Sequence, residues 1–118
     1  MLREATCFEH IYIRCGYVDL RRGIDGLAEY IRNDMSMDPY AENTLYLFCG
    51  RRTDRIKGLT YEKDGFLLLY KRIADGHFRW PRTPSEVREL TDEQFHMLTD
   101  GYSIDRFTGY TKAVVLAV

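Results

Sequence analysis

Residues 45–73 read LYLFCGRRTDRIKGLTYEKDGFLLLYKRI, and this stretch decides the fold. Leu45 to Cys49 is a dense run of β-forming side chains, and Gly50-Arg51-Arg52-Thr53-Asp54 behind it has the small and polar residues of a loop. Arg55 to Glu62 reads as the next strand. Lys63-Asp64-Gly65 reads as a tight hairpin, because Asp-Gly supplies the positive φ angles of a two-residue turn, and Phe66 to Ile73 is the returning strand. Asp75-Gly76 closes a second turn before His77-Phe78-Arg79-Trp80, and Pro81 ends that last strand. Connections this short leave neighbours antiparallel, since a parallel pair needs a crossover of about a dozen residues.

Upstream, His10 to Arg14 alternates enough for a short strand, and Gly16-Tyr17-Val18 breaks it. Asp19 is placed to cap a helix whose apolar residues recur at Leu20, Ile24, Leu27, Ala28 and Ile31, a single stripe for the core. Arg21, Arg22, Asp25, Glu29 and Arg32 fall on its outer side. Gly23 and Gly26 each cost roughly 1 kcal/mol against alanine inside a helix, which suggests close backbone packing there. The helix fades near Asn33-Asp34, and Asp38-Pro39-Tyr40 marks the following loop.

Downstream, after Pro84, the composition turns acidic and helical. Thr91-Asp92-Glu93-Gln94 has capping-box form ahead of a helix from Asp92 to about Asp100, with Phe95 and Leu98 inward and Gly101 as its stop. The nearly all-apolar tail Lys112 to Val118 is either an added strand, the reading we favour, or a contact surface. The expected fold is α+β, an antiparallel meander sheet of four to five strands with an amphipathic helix near the N-terminus and a short helix near the C-terminus.

At 118 residues the chain is expected to be one domain, and its 45% hydrophobic and 14% aromatic content suits a packed globule. No run approaches the roughly 20 apolar residues of a membrane helix, and MLREATCFEH lacks the order of a signal peptide, so a cytoplasmic protein without membrane association is expected. Cys7, Cys15 and Cys49 form no C-x-x-C pair and read as reduced thiols, while His10, His77 and His96 are too scattered for a metal site. The net charge of -1 conceals an asymmetry. Between Arg51 and Arg82, nine basic residues face four acidic ones, and the segments on either side are both net acidic.

No catalytic residue is expected. The acidic residues sit on a helix rim, in turns and in the acidic C-terminal segment rather than as converging metal ligands, and Asp19 and Asp25 read as a cap and a surface residue. No nucleophile has a base partner at a motif spacing, and Gly50-Arg51-Arg52-Thr53-Asp54 is not a Walker or dinucleotide loop, so neither a cofactor nor a small-molecule substrate is expected. Binding is better supported. Arg51, Arg52, Arg55 and Lys57 bunch at a loop and the strand it feeds, Lys71, Arg72 and Arg79 lie near later strand ends, and Arg21 and Arg22 ride the helix surface. Tyr61, Phe66, Tyr70, Phe78 and Trp80 offer aromatic faces. Phe66 and Phe78 read as core, whereas Trp80 between Arg79 and Pro81 reads as partly exposed and able to stack on an unpaired base.

Asp19-Leu20-Arg21-Arg22-Gly23-Ile24-Asp25-Gly26-Leu27, and Leu47-Phe48 with Gly50 through Lys57, resemble the TnpB accessory proteins of the sixty-six family of insertion sequences. Asp64-Gly65-Phe66 with Leu69-Tyr70-Lys71-Arg72, Gly76 through Pro81, and Leu90-Thr91 with Gly101 follow in the same order. The resemblance spans 19–105 and leaves 106–118 as an unmatched apolar tail. It implies an element-encoded protein that works beside a separate DDE-type transposase, has no cutting chemistry of its own, and is unrelated to the RNA-guided nuclease sharing the label. Two expectations follow for the basic residues: they hold element DNA, or they dock on an acidic patch of the transposase. A continuous basic face would favour DNA, and an apolar patch ringed by arginines a protein partner.

Overall fold

The computed structural model describes residues 7–83 and 86–104. Strand β1 (His10–Arg14) precedes helix α1 (Ile24–Asn33), followed by β2 (Thr44–Cys49), β3 (Arg55–Glu62), β4 (Gly65–Arg72), β5 (Val87–Leu90) and helix α2 (Asp92–Thr99). The five strands form one sheet in the order β4-β3-β2-β1-β5. Every residue of β2 is buried, which explains why it reads as a continuous apolar run rather than an alternating one. Its two faces feed two cores. Leu45, Leu47 and Cys49 join Ile11, Ile13 and Ile56 under Phe78, Trp80, Phe95 and Leu98. Tyr46 and Phe48 meet Leu27, Ala28, Tyr30 and Ile31 of α1 on the other side.

The sheet is mixed, not a pure meander. β1 runs parallel to β2, with His10 opposite Thr44 and Ile13 opposite Leu47. The short-connection argument holds from β2 to β4, where both pairs are antiparallel, but the segment between β1 and β2 contains α1 and is long enough to serve as a crossover. The expected strand at 77–80 is also corrected. That segment has no ladder partners, and Phe78 and Trp80 fold inward as a lid over one face. The fifth strand is instead β5, antiparallel to β1, with Ile11 opposite Leu90 and Arg14 opposite Val87. Two of its four residues are charged, a pattern suited to a sheet edge and easily mistaken for a loop.

Two local readings also shift. Helix α1 begins at Ile24, a turn later than expected, with Gly23 as an N-cap that makes no side-chain hydrogen bond. Asp19 instead accepts from the Arg21 backbone N–H at 2.9 Å and closes its own turn, because an aspartate can bond its backbone two residues on as readily as cap a helix. Of the two glycines expected to pack closely, Gly26 does and Gly23 does not: a Cβ at Gly26 would crowd the Arg22 side chain at 3.2 Å, whereas one at Gly23 would meet nothing within 4 Å. In the hairpin, Glu62 faces Gly65, so the turn residues are Lys63 and Asp64, with Lys63 at φ 39° and Gly65 already in the strand.

Helix α2 keeps the expected capping box. The Thr91 hydroxyl accepts from the Gln94 N–H at 3.1 Å, and the Gln94 side chain accepts from the Thr91 N–H at 2.9 Å. Phe95 and Leu98 are fully buried, and Gly101 leaves the helix at φ 93°, in the left-handed region. Cys15 and Cys49 are buried and Cys7 is exposed. No helix among the described residues is long and apolar enough to cross a membrane. Asp105 and the tail Lys112 to Val118, with the strand expected there, lie outside the described residues.

Candidate nucleic-acid interface

The parallel pair creates a crevice where β1 and β2 end side by side. Chain leaving β1 supplies Val18 to Arg21, chain leaving β2 supplies Gly50 to Arg52, and the α1 side of the β3–β4 hairpin adds Arg55, Lys57, Leu68 and Tyr70. Together they line an open cleft of about 550 Å³. Crevices beyond the carboxyl ends of parallel strands are where open α/β sheets usually bind ligands, because the chain diverges there into loops free to carry function.

The loop between β2 and β3 is fastened from both sides. Val18 N–H donates to the Cys49 carbonyl at 3.0 Å, Phe78 N–H to the Thr53 carbonyl at 2.7 Å, and Ile73 N–H to the Asp54 carbonyl at 2.9 Å. His77 Nδ1 lies 3.0 Å from the Arg52 carbonyl oxygen and 3.2 Å from the Thr53 hydroxyl. Leu20 packs close to where a Cβ on Gly50 would sit, its Cδ1 3.2 Å away, so glycine at residue 50 lets the two sides of the crevice meet without crowding. Arg51 and Arg52 are thus exposed on a backbone already held in place.

Two carboxylates tune the charge. Asp19 binds the Arg21 guanidinium at 2.8 Å and takes the Arg21 backbone N–H, which together hold its pKa down at about 2. Asp54 binds Arg55 Nε at 2.9 Å, and that hydrogen bond lowers its pKa as well. Lys57 donates from Nζ to the Arg22 carbonyl at 2.9 Å and stands 5.7 Å from the Tyr70 ring centre. Among the described residues Arg51 and Arg52 make no ion pair, so they and Lys57 are the cleft cations without a carboxylate partner.

The residues singled out from the sequence therefore divide. Arg21, Arg51, Arg52, Arg55 and Lys57 converge on the cleft. Arg22 lies just outside it, its guanidinium 5.0 Å from the Tyr30 ring centre. Arg72 is directly opposite Arg55, on the cleft side of the hairpin, whereas Lys71 is opposite Ile56 and so points to the other face. Arg79 is exposed beside a second cleft with His77 and Arg82, across the loop from the first. Trp80 is not a stacking platform: it is 5% exposed and donates from Nε1 to the Arg14 carbonyl at 2.8 Å, tying the lid to β1. The exposed aromatic beside the cations is Tyr70, at 54%. Among the described residues no three His, Cys, Asp or Glu side chains come together as a metal ion would require.

The family model described as IS66 Orf2 like protein matches residues 9–109. The chain belongs to that family. Every strand and helix around the cleft of this IS66 Orf2-like protein lies within the match, and membership associates it with the transposition system of such insertion sequences. It is similar to two uncharacterized proteins of Sinorhizobium fredii. To y4jC it is 29% identical over 84 residues, 71% of each chain, and to y4hO 28% identical over 91 residues, 77% of this chain and 78% of the other. No solved structure matches it. Reading the residues alone missed Leu20 and Leu68 as the cleft floor and the two aspartates as arginine partners. The signal for Leu68 and Tyr70 was the register of the hairpin, which puts Tyr70 opposite Lys57 and Leu68 opposite Leu59.

Proposed function

We propose that this IS66 Orf2-like protein is a non-catalytic accessory factor in transposition of its insertion sequence, and that it binds element DNA through the basic cleft. One observation carries this reading: Arg21, Arg51, Arg52, Arg55 and Lys57, drawn from three separate segments, surround a single crevice at the carboxyl ends of β1 and β2. Guanidinium forks on a fastened loop suit phosphate oxygens, which take two parallel N–H donors at little cost in ordering. The working partners are then the element's terminal DNA and the DDE-type transposase that acts on it.

A second reading has its own observation. Val18, Leu20 and Leu68 give the cleft an apolar floor, and arginines ringing apolar surface suit a protein partner, here an acidic patch on the transposase. The two readings separate in one comparison of the wild type with the Arg51→Ala/Arg52→Ala/Arg55→Ala variant. Purified protein is offered terminal-repeat DNA alone, purified transposase alone, or both. Binding to DNA alone that the variant loses supports the DNA reading. Binding only where transposase is present moves the function to the adaptor. A folded variant that still supports normal transposition in cells would remove the cleft from either role.

A further inference from the structure

We infer that the cleft holds a nucleotide of an unpaired strand, with its base on the Tyr70 ring and its phosphate at Arg51 and Arg52. The inference rests on the proposed DNA binding and names the form of DNA recognised. A cleft for duplex backbone alone needs cations and little else, because the outside of a duplex presents phosphate and sugar. This cleft also has an apolar floor, formed by the half-buried Val18, Leu20 and Leu68. Beside that floor Tyr70 is 54% exposed on the outermost strand of the sheet, whereas Tyr46 and Phe48 on the same face are fully buried in the core.

Geometry joins the two halves. Tyr70 is directly opposite Lys57 in the β3–β4 ladder, and the Lys57 ammonium lies 5.7 Å from its ring centre. A ring beside a cation gives a base a face to stack on and its phosphate a charge to meet, the pairing by which sites for unpaired nucleic acid work. At about 550 Å³ the cleft falls within the roughly 300–1,000 Å³ of sites that enclose one small-molecule-sized group, too small for a base pair with its backbone and suited to one unstacked nucleotide. Arg55, tied to Asp54, and Arg21, tied to Asp19, flank the opening without closing it. Transposon ends that melt or carry an overhang would present such a nucleotide.

The experiment measures binding by anisotropy of labelled single strand, blunt duplex and duplex with a short overhang. The proteins compared are the wild type, Tyr70→Ala, Tyr70→Phe and Arg51→Ala/Arg52→Ala, each checked for folding by thermal melting. Tyr70→Ala is expected to weaken single-strand and overhang binding roughly 5- to 150-fold, and blunt-duplex binding far less, while Tyr70→Phe retains affinity because the ring remains. Equal losses on single strand and duplex, or a loss in Tyr70→Phe matching that in Tyr70→Ala, would overturn base stacking. If the arginine variant loses affinity in either of those cases, DNA binding through the cleft still stands. No binding of any DNA by the wild type would overturn both readings. A free mononucleotide binding as tightly as the strand would also overturn the inference, assigning the cleft to a soluble nucleotide.

Discussion

Asp19 and Asp54 decide how much positive charge the cleft presents. Each holds one arginine by its guanidinium, so Arg21 and Arg55 are oriented and partly neutralised, while Arg51 and Arg52 make no ion pair among the described residues. The Arg21 hydrogen bond keeps Asp19 ionised down to a pKa of about 2, against an ordinary value near 4. Because the folded pKa lies below the unfolded one, the contact's contribution is present throughout the neutral range and is lost only as pH falls between those two values. Carboxyl-carbon NMR should place the Asp19 midpoint near 2, and Arg21→Ala should return it towards 4; a midpoint near 4 in the wild type would show that the pair is not held in solution. These pairings were not legible in the sequence. Asp19 two residues before Arg21, and Asp54 one before Arg55, were read as a cap and a loop residue, because spacing shows proximity without showing which partner wins.

The elements differ in how openly their residues declare them. Helix α2 was legible because Thr91 and Gln94 satisfy each other's backbone donors, a local device needing nothing from the rest of the chain. Helix α1 was legible as a helix but not in its start, since Asp19 had a competing use and Gly23 caps through backbone alone. The contrast is measurable by urea unfolding. Thr91→Ala should cost about 1 kcal/mol, whereas Asp19→Ala should cost clearly less, having no helix donor to abandon. Equal losses would return Asp19 to the capping role. In the hairpin, moving the turn by one residue shifts every cross-strand pair by two positions. The faces survive, so Phe66 to Arg72 keep their sides, but Lys57 then faces Arg72 instead of Tyr70. Trp80 stood out from the sequence for a different reason, its place between Arg79 and Pro81 at an expected strand end, and it is in fact buried while Tyr70 is exposed.

At the scale of the whole molecule, the decisive feature is the parallel pairing of β1 with β2. Pairing between segments separated by a helix is a long-range choice, set by which apolar faces can be covered at once, and periodicity within each segment is silent about it. Without it, Val18 to Arg21 would have no reason to stand beside Gly50 to Arg52, and the basic loop would be an isolated turn. The basic residues themselves were visible as a run of charge between Arg51 and Arg82; their sorting was not. The fold gathers Arg51, Arg52, Arg55 and Lys57 with Arg21, sends Lys71 to the opposite face, and leaves Arg79 across the loop. The same topology explains the lid at 77–81, whose Trp80 anchors on β1 instead of facing solvent.

The central claim is that this cleft binds nucleic acid through phosphate, and its most direct test is anisotropy of labelled terminal-repeat DNA across a salt series. With Arg51, Arg52 and Lys57 lacking carboxylate partners among the described residues, log affinity should fall against log salt with a slope of roughly −3, and replacing Arg51, Arg52 and Arg55 by alanine should reduce that slope by about 2. No binding at low salt, or binding with the same slope in the wild type and the triple variant, would contradict the claim.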